Sequence, residues 1–245
     1  MRERKLTLPL FVTLALLLVA CGPTNADLVE TYTPQFDALR ADFEAIAAAL
    51  PPVTGEIEAL ALDPAPDYQT GSYGEIRNTD IVMYRQLLDP YIELRDENLF
   101  DLRFSNYIVS YLRCMGESSP MSATTLEKRA DKEKADEYEQ ALDIAYLGVA
   151  RVNAYEPPIA IDKDTFVGGT VAIDGFLVDV DTQAVLCAFS ITAYPNEEVR
   201  YQVRENESHT DALRRFAYST LWSNAREAFM EKMNALCGGS FVLDD

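Results

Sequence analysis

Hydrophobic and polar positions divide the chain into stretches of two periodicities. Phe36, Leu39, Phe43, Ile46, Ala47 and Leu50 recur at spacings of three and four, the signature of one apolar stripe on a helix from about Leu28 to Leu50, stopped by Pro51-Pro52. Ile57 to Leu62 fits either a short strand or a helical turn. Asp63 to Asn78, rich in Pro, Gly, Asp, Ser and Tyr, reads as a loop. Asp80 stands where it could cap a helix carrying Ile81, Tyr84, Leu87 and Leu88. A further helical pattern covers about Tyr91 to Met115. Thr124 and Glu127 form a Thr-x-x-Glu capping box. From it a long helix is expected to about Val152, charged in its first half and striped by Tyr138, Ala141, Leu142, Ala145, Val149 and Val152 in its second.

From Phe166 the period shortens to two. Phe166–Val180 and Val185–Tyr194 read as two strands, with Cys187, Phe189 and Ile191 on one face and Ala188, Ser190 and Thr192 on the other. Gly168, Gly169 and Gly175 suggest bends or bulges, and Val199–Val203 a short third strand. A last helix, about Thr210 to Leu236, brings Leu213, Ala217, Leu221, Phe229 and Met233 to one side, with Gly238 at its C′ position. The expected fold is therefore α+β, mostly helical, with a small antiparallel sheet (hairpin 166–194) covered by the C-terminal helix.

The first residues follow neither pattern. Arg2, Arg4 and Lys5 precede an apolar run from Leu6 to Val19, which ends at Leu18-Val19-Ala20-Cys21-Gly22. The run is shorter than the roughly 20 residues of a spanning helix. It resembles the signal segment and lipobox of bacterial lipoproteins. That resemblance covers residues 1–22 and implies cleavage between Ala20 and Cys21, with lipid attached to the Cys21 thiol. Residues 1–20 are then a signal peptide, 21–27 a lipidated tether and 28–245 a single α+β domain. The membrane is engaged through Cys21. In that class an Asp after the cysteine holds the protein at the inner membrane. Gly22 in that position points to the outer membrane, facing the periplasm.

Charge narrows the partners. The chain has 21 Lys and Arg against 40 Asp and Glu; loss of residues 1–20 removes three bases and one acid and leaves a formal charge of −21. Such a surface disfavours nucleic acid, whose phosphates need clustered cations. The remaining cysteines are Cys114, Cys187 and Cys237. Cys187 sits within a strand pattern and reads as a buried small hydrophobe. Cys114 and Cys237 both end helical patterns before a glycine and form the expected disulfide in an exported protein.

No local signature of catalysis stands out. His209 is the single histidine, so a zinc site with two histidine ligands cannot form within one chain. G-x-S-x-G, P-loop, S-x-x-K and G-x-G-x-x-G motifs are missing. Asp162 with Asp164, and Asp174 with Asp179 and Asp181, could ligate calcium through oxygen, but they lack the spacing of an EF-hand loop and read as turn residues. No catalytic residue, metal or cofactor is assigned. The expectation is a lipid-anchored, non-catalytic envelope protein with a structural role or a role in binding an envelope protein or ligand. The alternatives are a periplasmic small-molecule or cation-binding module, and an envelope glycan or peptide hydrolase using carboxylates.

Overall fold

The computed structural model describes residues 25–69, 77–90, 92, 100–102, 104, 107–115, 132–197 and 200–243. The helices among them are α1 (Asn25–Ala49), α2 (Tyr84–Leu88), α3 (Tyr107–Met115), α4 (Lys132–Leu142) and α5 (His209–Leu236). The strands are β1 (Asp67–Gln69), β2 (Thr79–Met83), β3 (Tyr146–Glu156), β4 (Ile159–Ala160), β5 (Phe166–Val167), β6 (Thr170–Asp179), β7 (Val185–Ala193) and β8 (Ser240–Val242). Cys21 and the Thr124–Glu127 capping box lie outside the described residues.

The centre is a four-stranded mixed sheet in the order β2-β3-β6-β7, parallel between β2 and β3 and antiparallel elsewhere. Helices cover both faces. On one, Phe36, Leu39, Phe43 and Ile46 of α1, Ile108 and Leu112 of α3, and Tyr138 of α4 pack against Leu147, Val149, Phe176 and Val178. On the other, Leu221, Ala225, Phe229 and Met233 of α5 pack against Ile173, Leu177, Cys187 and Phe189. Two short sheets, β1 with β8 and β4 with β5, sit outside this sandwich.

This corrects the expectation of a mostly helical chain with one small hairpin over 166–194. The expected helix to Val152 ends at Leu142, and Tyr146–Glu156 is the longest strand, paired with both β2 and β6. Asp80 and Ile81, expected to cap and open a helix, lie instead in Thr79–Met83, a strand buried at all five positions. Both errors have one cause. A strand covered on both faces is apolar throughout and loses its alternation, so helical spacings can be found in it by chance. Gly148 fits this strand because a Cβ there would lie 2.8 Å from Ile81 Cγ1 of the neighbouring β2.

The expected first strand of the hairpin is broken in two. Gly168 and Gly169 have φ of +73° and +82°, which turns β5 away before β6 begins. Residues 200–203 form no strand. Asp80 caps a helix, but not the one next to it in sequence. Its Oδ1 accepts from Ile81 N at 2.8 Å and its Oδ2 from Ile108 N at 2.9 Å, in the first turn of α3.

Candidate functional site

The helix-covered sheet face changes character where α1 ends. Under α1 it presents Leu147 and Val149 on β3, Phe176 and Val178 on β6, and Ala188 on β7. One step beyond, the same rows carry Arg151, Asp174 and Ser190, which are directly cross-strand: Arg151 opposes Asp174, and Asp174 opposes Ser190. Arg151 Nη2 bonds Asp174 Oδ2 at 2.8 Å, and Ser190 Oγ donates to Asp174 Oδ1 at 2.6 Å. These three residues, with Asn153, Thr192 and the chain at Leu50, Pro52 and Val53, enclose a cleft of about 510 Å³.

Arg151 also ties the cleft to the end of α1. Its guanidinium donates to the carbonyls of Leu50 at 3.3 Å and Pro51 at 2.7 Å. Carbonyls at a helix C-terminus have no intrahelical donor and attract a cation. The last turn of α1 has no basic residue of its own, so β3 supplies the charge. The guanidinium carbon also sits 4.8 Å from the centre of the Phe176 ring, a cation–π contact.

Asp174 is only 4% exposed. Burial alone would raise its carboxyl, but hydrogen bonds from Arg151, Ser190 and Asn153, with the charge of Arg151, outweigh burial and hold it below the usual range. The cleft floor is thus a fixed ion pair flanked by hydroxyl and amide groups, an arrangement suited to orienting hydrogen bonds to a bound group. The Ser190 hydroxyl points at a carboxylate already held by arginine, and no hydrogen bond joins it to His209, whose Nδ1 lies 3.5 Å from Tyr201 Oη.

The other carboxylates singled out in the sequence are spread over turns. Asp162 Oδ1 accepts from Asp164 N at 2.8 Å, and Asp179 Oδ1 from Thr182 N at 2.7 Å. Among the described residues no three His, Cys, Asp or Glu side chains converge to hold a metal ion. Asp80 is a different case: burial pushes its carboxyl up to about 7, against the two backbone N–H groups that favour its charge.

The expected Cys114–Cys237 bridge is not formed: Cys237 is bonded to Cys187, with Cα atoms 5.3 Å apart. The sheet explains the choice. Cys187 points to the α5 face of β7, and Cys237 ends α5 on that face. Cys114 belongs to α3, whose Ile108, Val109 and Leu112 pack on the opposite face. Arg151 and Asn153 are site residues that the sequence pattern did not single out, and for Arg151 a signal existed. The available signal was a lone charge inside the apolar run Tyr146–Val152, where burial demands a partner.

No family model matches the chain, and no curated protein matches it. Among solved structures it is similar to the PelC dodecamer from Paraburkholderia phytofirmans, at 15% identity over 70% of this chain and 94% of that one, with a TM-score of 0.25. A methionine-for-leucine variant of the same dodecamer gives 14% identity over 71% and 96%, also at 0.25. A likeness at that score carries no conclusion about fold or function.

Proposed function

We propose that this chain is a lipid-anchored protein of the bacterial cell envelope, facing the periplasm from the outer membrane, with a structural or partner-binding role and no catalysis. The observation that carries this reading is the apolar run that ends at Leu18-Val19-Ala20-Cys21 behind a cationic start. The buried Cys187–Cys237 bridge supports it, because thiols stay reduced in most bacterial cytosols and pair after export.

Among the described residues no helix is long and apolar enough to cross a membrane, so attachment in this reading falls to Cys21. Two or three acyl chains hold a protein stably where one does so marginally, at about 0.8 kcal/mol per buried CH₂.

Mass spectrometry of the native protein tests the reading. An N-terminal fragment that begins at Cys21 and carries acyl chains is the expected result. Cys21→Ser is expected to leave an uncleaved or unacylated precursor. A wild-type fragment beginning at residue 21 without fatty modification, or an intact leader, overturns the assignment.

A further inference from the structure

The cleft opens onto a sheet edge whose main chain is only partly used. β7 is the last strand of the sheet, and among the described residues one pairs with its outer side: Ile57 N donates to Ala188 O at 2.8 Å, and Ala188 N donates to Ile57 O at 3.0 Å. Both main-chain groups of Ala188 therefore point away from β6. Main-chain direction in an antiparallel strand alternates with period two, so the N–H and C=O groups of Ser190 and Thr192 point the same way. The close Ser190–Asp174 side-chain contact agrees, since side chains approach best at pairs that do not exchange main-chain bonds.

Beyond Ile57 the chain leaves this edge. Continued antiparallel pairing would set Gly55 against Ser190 and Val53 against Thr192, but no hydrogen bond joins these segments. Instead Leu50 and Pro51 are held over the sheet face by Arg151, and the cleft fills the gap between Pro52–Val53 and Ser190–Thr192. Ser190 and Thr192 are exposed, whereas Ala188, packed in the core under α1, is 1% exposed.

We infer that the β7 edge at Ser190–Ala193 takes up an extended peptide of another protein as an added strand, antiparallel to β7 and in line with the Ile57 pairing. Such a peptide gains four main-chain hydrogen bonds, from the N–H and C=O of Ser190 and of Thr192. Its residues opposite Ser190 and Thr192 turn their side chains into the cleft. There they meet Asn153, Asp174, Arg151 and the two hydroxyls, with Pro52 and Val53 as an apolar wall. Short hydrogen-bonding side chains (Ser, Thr, Asn) suit those two positions, because the charges of Arg151 and Asp174 already satisfy each other. The inference rests on the partner-binding part of the proposed function and names the chemistry of the partner.

The test uses the native full chain in detergent and a phage-displayed library of random linear peptides. An enriched peptide is expected to slow hydrogen exchange at the Ser190 and Thr192 amides about tenfold. N-methylation at alternate residues of that peptide, which keeps its side chains but removes its pairing groups, is expected to abolish binding. Thr192→Pro is expected to do the same while preserving the β6–β7 pairing, since the lost N–H faces away from β6. Thr192→Val is expected to retain binding.

Failure to enrich any peptide, protection elsewhere, or peptides that tolerate N-methylation overturns the inference. So does a dimer of this chain closed through the same two amides, which would make the occupant a second copy. The state of Cys21 is read by mass on the same sample. Peptide binding to an unacylated chain thus sinks the anchor alone, and an acylated chain that binds no peptide sinks the edge alone.

Discussion

Removing the Cys187–Cys237 bridge should cost this protein a large share of its stability. The two cysteines are fully buried and 50 residues apart in sequence. In the chain-entropy account, closing a loop of that length restricts the unfolded state by about 4 kcal/mol. For a chain of this size that corresponds to a fall in Tm of roughly 8–16 °C. The perturbation is Cys187→Ala with Cys237→Ala, compared with the oxidised wild type by urea unfolding. Trp222, packed at the edge of the α5 core, serves as the fluorescent reporter. The slope of the transition is expected to rise as well, because the unlinked denatured chain exposes more surface. Cys114→Ser is the control and should leave the Cys187–Cys237 fragment intact in a non-reducing digest. A double variant within about 1 kcal/mol of wild type refutes the estimate, and a digest that joins Cys237 to Cys114 refutes the pairing itself.

Four further substitutions probe the interior. Arg151→Met strands the Asp174 charge and two carbonyls at the end of α1, and should lower the urea-derived stability by about 3–5 kcal/mol; paired with Asp174→Asn in a double-mutant cycle, the loss should be strongly non-additive. Asp80 is raised from its ordinary value of 3.8 to about 7, so between those values the folded chain holds a proton that the unfolded chain has lost. Its contribution to stability is fully present at low pH and declines as pH rises toward about 7; the difference in stability between wild type and Asp80→Asn, measured across that window, should follow this decline, and a flat difference counts against it. Glu207, lowered to about 2 by Arg215, acts in the opposite sense at lower pH and cancels in that difference. Gly175→Ala puts a Cβ 2.3 Å from Phe189 Cζ and should destabilise by about 1–3 kcal/mol in thermal unfolding.

How much of this was legible in the sequence depended on how each element meets solvent. α1 shows a clean stripe because only one side of it is covered: Phe36, Leu39, Phe43 and Ile46 are buried while Glu44 and Ala45 are exposed. The alternation in β7 is equally readable, since its far half has one covered and one open face. β2 and β3 were hidden for the opposite reason. β2 is covered on both faces, as is β3 over Tyr146–Ala150, and Ala145, Val149 and Val152 extended the helical stripe of Tyr138 and Ala141 across the turn at Asp143 by coincidence of spacing. The long-range links were not legible at all. Asp80 reaches a helix 28 residues on, and Arg151 reaches back about a hundred residues to the end of α1. Such partners become visible only once the strand order is known. The disulfide belongs with them, because which face of the sheet a cysteine meets is a property of topology.

The geometry of α1 bears on how the proposed anchor and the proposed binding edge can act together. The expected tether loses its last residues to the helix, which begins at Asn25. Only Gly22, Pro23 and Thr24 separate Asn25 from Cys21, a reach of at most about 14 Å. A helix of 25 residues extends about 37 Å, and its far end is where Arg151 gathers Leu50 and Pro51 beside the cleft. The exposed positions of α1 include Asp27, Glu30 and Glu44, and its one basic residue, Arg40, is bonded to the Leu112 carbonyl. A face of that charge does not lie down on anionic headgroups. An acylated Cys21 would therefore stand α1 away from the bilayer and present the β7 edge to the periplasm, within reach of a partner and out of reach of the lipid. Lengthening the tether with a flexible insert after Cys21 should then leave peptide affinity at the edge unchanged. If the insert weakens binding, the membrane itself forms part of the site, and the two proposals are not independent.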